Sequence, residues 1–509
     1  MVEDPEIYRM WKEGDDGESS SKDIPTKVQG LLTKYLKIRD VEKNKFGEVF
    51  TPPSLIEYML DKLAVYDKDV WTNPKGTFLD PAAGIGNFAM VAYVKLMKGL
   101  SKAIPDDRNR SEHIIRNMLF NVEINPDNVT IARRIFGKNA NIACGSSLEG
   151  AWVEGPNGPT WKAGSEEKKA GSEKKKPVKF GVVMGNPPYN KEGESGARRQ
   201  AIWANFIAKA HYETLSRNGF LLFVHPRNWR GVDEALIKRE TETISARSML
   251  TQLMTLRYLE MHDNVSARST FAGVSLPGYD WYVAQNQSWR PGVLTAICDV
   301  DGTLGSHNLA DYAIIPSGML SVANMIVSLD GRDAIGDGLL YQGNQFHHTK
   351  PWIVEPTSSK VGNVVKNTTL EGVGFWHTTD RDPTVRNKID MFGVSKVIFG
   401  DGSQASAFFD DGKFAMSENA MAIASNERDG KQIAQALRSP AFASFVNRYY
   451  KFQGGYRVTW KMMRLFRKDF YKAFLPGGAI HKLYEEGKLK APADRACGYV
   501  PPTKSSPSS

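Results

Sequence analysis

Asn186, Pro187, Pro188 and Tyr189 stand in a row, and each has a chemical use. The Asn186 side-chain carbonyl is a hydrogen-bond acceptor. The two prolines fix φ and lack an N–H, so they hold the backbone still and leave a carbonyl pointing outward. Tyr189 adds a flat ring. Two acceptors beside a stacking face suit an exocyclic amine on a flat heterocycle, and the N6 amine of adenine is such a group. The plainer reading of the same residues is a strand that stops at a proline turn, with a tyrosine packed below it.

Neighbouring elements must hold such a tetrad in place. Val182, Val183 and Met184 form an apolar run that ends at Gly185, the pattern of a buried strand. Phe78, Leu79 and Asp80 form a second strand that ends in an acid. Pro81, Ala82, Ala83, Gly84, Ile85 and Gly86 then make a small-residue turn into a helix. Small residues let a ligand lie against the backbone, the logic of a nucleotide-binding βα unit. The turn is not GxGxxG, and Asp80 would repel a phosphate. A cationic ligand without phosphate, such as S-adenosylmethionine, fits better.

Glu123 ends another short strand, where an acid can bind both ribose hydroxyls. It follows Asp80 by 43 positions, where about 20 from the glycine turn is usual, so an extra helical excursion is expected before it. A third strand, residues 140–144, leads into Gly145 and Ser146. Upstream, Phe50-Thr51-Pro52-Pro53 precedes a helical pattern that Ser54 would cap or Pro53 would open. A threonine hydroxyl at a helix N-terminus can bind a carboxylate. His225, alone at a strand end, reads as structural.

From residue 50 to about 288 strand and helix alternate, which means a parallel sheet with helices on both faces. The expected organisation is a flexible tail over 1–26, a catalytic domain over 27–288 and a recognition domain over 289–475. A tail over 476–509 is expected to be disordered. Residues 150–178 hold a near repeat of Ala-Gly-Ser-Glu-Lys composition and read as a solvated loop. After residue 289 glycines and short β-like runs replace the alternation.

Composition bounds the partners. The 509 residues carry a net charge of +9, which fits a polyanion such as nucleic acid. Over residues 445–472, Arg448, Lys451, Arg457, Lys461, Arg464, Arg467 and Lys468 interleave with Tyr449, Tyr450, Trp460 and Phe466. Charge for phosphates with rings for bases is a nucleic-acid pattern. No run of about 18 apolar residues would span a membrane. The three cysteines, Cys144, Cys298 and Cys497, lie far apart and suggest no disulfide framework. A reducing, cytoplasmic location and no metal are therefore expected.

Phe50-Thr51-Pro52-Pro53, DPAAGIGNF (80–88 within its strand), NVEINP (121–126), GNPPY (185–189) and GFLLFVHPRNW (219–229) occur in that order. The set resembles the amino-methyltransferases that make N6-methyladenine in DNA, in the branch with a C-terminal recognition domain. The resemblance covers roughly residues 45–288. It implies a class I S-adenosylmethionine-dependent methyltransferase fold, Rossmann-like and mostly parallel with seven strands, followed by a mixed α/β recognition domain. By motif match, Thr51 would meet the cofactor's carboxylate. Asp80, Pro81, Ala82, Gly84 and Gly86 would line its amino-acid end, Glu123 its ribose and Ser146 its adenine. Asn186, Pro187, Pro188 and Tyr189 would form the catalytic tetrad, with Phe271 as a second ring on the target base. Double-stranded DNA is the implied substrate, and the family allows a cognate restriction endonuclease in a separate chain. Gly145-Ser146 departs from the usual Gly-Asp after the third strand.

Three rival readings remain. The same tetrad serves methyltransferases of RNA adenine and of protein glutamine. DVDGTL, with Asp299 and Asp301, matches the signature of haloacid-dehalogenase-type phosphatases; as a strand with an Asp-Gly turn it needs no such role.

Overall fold

A strand buried on both faces is apolar nearly throughout, because neither side meets water. Val182, Val183 and Met184 meet that condition. Val182 and Met184 enter one apolar cluster with Phe78, Leu222 and Val224. Val183 turns to the other with Leu79, Leu221 and Phe223. The alternation is the period of two that a pleated strand imposes.

The structure is a computed structural model that describes residues 4–12, 24–36, 50–156, 158–163, 176–189, 202–231, 236–238, 243–271, 278–312, 314–316, 322, 325–328, 332–336, 338–343, 353–359, 362–369, 371–378, 391–400, 404–449, 463–489 and 497–501. Its central sheet is built from β1 (Phe78–Asp80), β2 (Leu119–Glu123), β3 (Asn141–Cys144), β4 (Phe180–Gly185) and β5 (Leu215–Pro226). It continues with β6 (Thr255–Asp263), β7 (Gly278–Gln285), β8 (Thr295–Cys298) and β9 (Leu304–His307). The nine lie in the order β9-β8-β6-β7-β5-β4-β1-β2-β3. Strand β7 runs antiparallel to β5 and β6, and β9 antiparallel to β8.

Strands β1 to β7, ordered 3-2-1-4-5-7-6 with the seventh reversed, form the seven-stranded sheet that the resemblance implies. Strands β8 and β9 extend it, so the sheet runs past the expected boundary at 288 to His307. Asp299 and Asp301 lie in the turn between these two strands. Gly302 donates to the Asp299 carbonyl at 2.8 Å, and the Thr303 N–H to the Asp301 carboxylate at 2.9 Å. The phosphatase-like string is a hairpin loop.

One face of the sheet carries α1 (Ile24–Leu36), α2 (Pro53–Tyr66), α3 (Asn87–Gly99) and α4 (Pro126–Phe136), whose apolar residues share one cluster. Pro53 opens α2, as a residue without an N–H can at a helix start. The excursion between β1 and β2 is α3 followed by a helix over Asp107–His113. The other face carries α5 (Trp203–Lys209). There the β3-to-β4 crossover holds a hairpin, Ala151–Val153 with Thr160–Lys162, inside the stretch expected to be a solvated loop. Trp152 packs edge-on against Phe120 at 5.3 Å. Residues 164–175, with the near repeat, lie outside the described residues.

Four further expectations are corrected. Residues 4–12 of the expected flexible tail include a helix, Glu6–Lys12, whose Ile7 is in the core and whose Glu6 pairs with Lys34 at 2.8 Å. Residues 479–485 of the expected disordered tail form a helix with Ile480 buried. Cys497 bonds to Cys298, leaving Cys144 free among the cysteines. Within the basic-aromatic stretch, Phe466 belongs to an apolar core, whereas Arg464, Arg467 and Lys468 are exposed. The described residues show no base platform there; residues 450–462, with Tyr450, Lys451, Arg457, Trp460 and Lys461, lie outside them, as do the side chains of Arg448 and Tyr449.

The later part of the chain adds two four-stranded sheets. One places Lys396–Gly400 between Ala420–Ala424 and Phe408–Asp410. The helix α6 (Glu427–Arg438) packs on it, and Gly430 fits against the Phe409 ring, which a Cβ would meet at 2.3 Å. No helix among the described residues is long and apolar enough to cross a membrane.

Arg230 joins the two parts. It is fully buried and pairs with the equally buried Asp280 of β7 at 2.9 Å. The Trp229 indole also donates to Asp280, at 2.8 Å, and the Arg230 carbonyl accepts from Ile315 N–H at 3.1 Å. Removing one partner of a buried ion pair strands the other charge in the core. Asp280→Ala is expected to cost about 3–5 kcal/mol, read as a lowered urea midpoint.

Candidate active site

The carboxyl ends of β1, β2, β3 and β4 meet at one edge, where an open α/β sheet binds its ligand. Asp80 ends β1 and is almost wholly buried. Its Oδ1 accepts from Ala82 N–H at 3.0 Å, which curls the following turn back over the acid. Glu123 ends β2. Its Oε2 accepts from Gly84 N–H at 2.8 Å and its Oε1 from Asn125 N–H at 2.7 Å. One acid therefore holds the glycine turn of β1 and the entry to α4. Gly84 has a φ of +57° and Gly86 one of +98°, a region that favours glycine. A Cβ on Gly86 would lie 2.6 Å from the Phe136 ring.

The tetrad reaches this edge from β4. A Cβ on Gly185 would lie 2.7 Å from Asp80 Oδ1, so only a glycine lets the strand end directly behind the acid. The next residue, Asn186, donates from Nδ2 to the Thr51 hydroxyl at 3.2 Å. The Thr51 carbonyl in turn accepts from Asn87 Nδ2 at 3.3 Å. Thr51, Asn87 and Asn186 thus tie the start of α2, the start of α3 and the end of β4 into one unit. Pro187 is buried and Pro188 exposed. The Tyr189 carbonyl accepts from Ile202 N–H at 3.2 Å, and its ring rests, half-buried, on the cluster that contains Trp203 and Trp229. Burial pushes its phenol above the ordinary range.

Ser146 follows β3 at the same edge, half-buried, its carbonyl accepting from Glu149 and Gly150. Gly145 N–H donates to the Glu123 carbonyl at 2.9 Å. Thr51, Asp80, the turn 81–86, Glu123, Ser146 and Asn186 are therefore neighbours in space. Phe271 is not among them. Its ring is 2% exposed and sits edge-to-face on Tyr279 at 5.0 Å, in the cluster on the opposite face of the sheet from the one under Tyr189. The stacking role expected for Phe271 gives way to a core role. His225 is structural, as expected: it stacks on Trp203 at 4.2 Å, and burial pushes its imidazole down to about 3.

Three contributors escaped the sequence reading. Ser147 donates to the Pro81 carbonyl at 2.7 Å and pins the turn beside Asp80. Asn125 caps α4 by accepting from Asp127 N–H at 3.0 Å, a role its place before Pro126 signals. Ile124, just beyond Glu123, is a large apolar residue left 63% exposed at the edge. Nothing in its sequence context distinguishes it from a core isoleucine.

The sheet order and the tetrad at the tip of β4 define a class I methyltransferase fold that carries an amino-methyltransferase signature. Residues 117–256 match the Eco57I restriction-modification methylase family. A Mycoplasma pneumoniae protein described as an uncharacterized adenine-specific methylase is 27% identical over 38% of this chain. This chain spans 58% of that relative's length. Among solved structures, the type IIL restriction-modification enzyme MmeI in complex with DNA aligns with 96% of this chain and 71% of its own, at 12% identity and a TM-score of 0.46. The EcoKI M protein of a type I restriction enzyme aligns with 53% and 52%, at 15% identity and 0.34. Both scores are low, and the fold rests on the strand order itself.

Burial, reinforced by the charge of Glu123 and offset by the Ala82 N–H, pushes Asp80 up to about 8 from an ordinary 3.8. Between those values the folded chain keeps a proton that the unfolded chain has released. Its contribution to stability is whole below about 3.8 and is lost as pH rises to about 8. The stability gap between Asp80→Asn and the wild type is expected to change by up to about 1.4 kcal/mol per pH unit across that window, in favour of the variant at high pH. Urea titrations at pH 5, 6.5 and 8 measure it. A gap that does not vary with pH would show that Asp80 ionises normally.

Proposed function

We propose that this chain is a site-specific DNA methyltransferase that methylates N6 of an adenine turned out of the duplex, with S-adenosylmethionine as donor. The observation that carries the reading is the bond from Asn186 to Thr51, which fixes the tetrad beside Asp80 and the glycine turn.

The residues fit the donor. Two acidic side chains, Asp80 and Glu123, sit on neighbouring strand tips. A cation bound there would favour the ionised form of Asp80 and bring its raised pKa down, whereas a phosphate would be repelled. S-adenosylmethionine, when bound, supplies a methyl group on a positively charged sulfur. Thr51 would receive its carboxylate, Asp80 and the turn 81–86 its ammonium end, and Glu123 its ribose. Ser146 and the exposed Ile124 would flank its adenine.

Asn186 acts on the target base. Its Nδ2 is committed to Thr51, so its Oδ1 is the end of the amide that can accept from the base's N6–H. The Pro187 carbonyl accepts the second N6 hydrogen. The two bonds draw the nitrogen lone pair out of the ring's π system and stabilise positive charge as it develops there. Turning the base out costs a few kcal/mol, and stacking on Tyr189 returns about 1–3 kcal/mol of it. The buried Pro187 and the bond from Ile202 to Tyr189 keep these groups in register, which is the positional part of the rate gain.

Asn186→Ala is expected to lower kcat about 10²–10³-fold, with the cofactor Kd changed only a few-fold through the loss of the Thr51 bond. Stopped assays with radiolabelled donor, paired with calorimetry, separate the two. Tyr189→Ala is expected to raise KM for DNA about 5- to 150-fold, the equivalent of one stacked base, and to keep residual turnover. The substrate itself is tested by incubating the protein with mixed-sequence DNA, or with RNA, followed by modification-sensitive sequencing. N6-methyladenine at one DNA motif supports the proposal; methylation of RNA alone, or none, refutes it.

A further inference from the structure

Residues 497–501 lie against the face of the sheet that carries α2. Cys497 is bonded to Cys298 at the end of β8, and its N–H donates to the Gly302 carbonyl at 3.1 Å. Two residues on, Tyr499 is buried. Its N–H donates to Glu260 Oε1 at 2.6 Å, and its hydroxyl meets the Ser54 hydroxyl, also at 2.6 Å. Its ring lies 6.1 Å from that of Tyr58, which packs edge-on against Trp281.

The socket for Tyr499 is costly for a simple anchor. Glu260 has no exposure to solvent. It is held by His262 Nε2 at 2.8 Å, by the Tyr258 hydroxyl at 2.7 Å and by the Tyr499 N–H. A buried carboxylate needs each of its donors, so the sheet is completed by a residue from far along the chain. Ser54, at the other end of the tyrosine, lies in the first turn of α2. Between it and Thr51 stand Pro52, at φ −60° and ψ 140°, and Pro53. Two consecutive prolines leave little freedom in φ, so a displacement of Ser54 is passed to Thr51. Thr51 holds Asn186.

We propose that residues 497–499 form a clasp that positions Thr51 and, through it, Asn186, with Tyr499 and Ser54 as positioning residues for the methyl-transfer site. The proposal rests on the methyltransferase reading only for what Thr51 and Asn186 do once in place. The path is one of contiguous contacts: Glu260, Tyr499, Ser54, the proline pair, Thr51, Asn186. Coupling through such a path is a measurable free energy.

The test uses the full chain and three variants: Tyr499→Phe, Ser54→Ala and the double variant. Tyr499→Phe keeps the ring and the N–H to Glu260 and loses only the hydroxyl. Each single variant is expected to lower kcat at saturating S-adenosylmethionine about 2- to 30-fold, with cofactor Kd changed no more than in Asn186→Ala and Tm close to wild type. The double variant should be no slower than the worse single, since both remove one bond. Amide hydrogen exchange, run without cofactor, should quicken at 54–57 and also at Asn186 and Tyr189. Unchanged exchange at Asn186 and Tyr189 in Tyr499→Phe overturns the clasp, as does a loss of Tm with kcat retained. A wild-type chain that binds no S-adenosylmethionine overturns the methyltransferase reading instead, and the exchange result still decides the clasp.

Discussion

At the candidate site the end of β4 passes close behind Asp80 of β1, and that approach depends on a missing side chain. Gly185 ends β4 where a methyl group would collide with the Asp80 carboxylate. Because the position is glycine, the backbone passes behind the acid and Asn186 emerges beside Thr51. The two prolines that follow cannot relax away from that course. The tetrad is thus aimed by steric exclusion, and the hydrogen bonds to Thr51 and Ile202 hold an orientation that packing has already chosen.

The second feature is electrostatic. Asp80 and Glu123 lie on adjacent strand tips, and backbone N–H groups of Ala82, Gly84 and Asn125 turn toward them. At Asp80 the Ala82 N–H offsets burial only in part, and the carboxyl stays well above its ordinary range. A fold selected for stability alone gains nothing from two such carboxylates side by side. Acids with a raised pKa, such as Asp80, concentrate at functional sites. Ser147 adds to this by holding the turn beside Asp80 from the third strand.

On both sides of the sheet, distant chain segments are fastened to it through buried polar groups. Arg230 reaches Asp280 within the sheet and Ile315 beyond it. Glu260 receives Tyr499. Lys396 and Asp410 form a similar buried pair at 2.5 Å inside the later sheet. Such pairs add little net stability over apolar packing, but they penalise every arrangement that leaves one member alone. They therefore fix how the segments dock more than they strengthen the docking.

Local chemistry made much of this protein legible in its sequence. Val182 to Met184 must be a doubly buried strand, because no other environment suits three consecutive apolar residues before a glycine-proline stop. The turn 81–86 must be backbone-exposing, because its residues are small. Asn186 and Tyr189 carry their chemistry in their side chains. What the sequence withheld are relations between residues far apart in it. Phe271 is a ring in either setting, and only the packing of Tyr279 against it decides that it is core. Two cysteines at 298 and 497 carry no sign of being neighbours until β8 and the later segment meet. Strands β8 and β9 look like the start of another unit, since their short alternating pattern is the same in any antiparallel sheet; their register with β6 assigns them to this one. Side-chain type and local period are properties of a few adjacent residues, so the sequence determines them. Which surfaces meet is set by the burial of the whole chain at once, and that the tertiary structure alone decided.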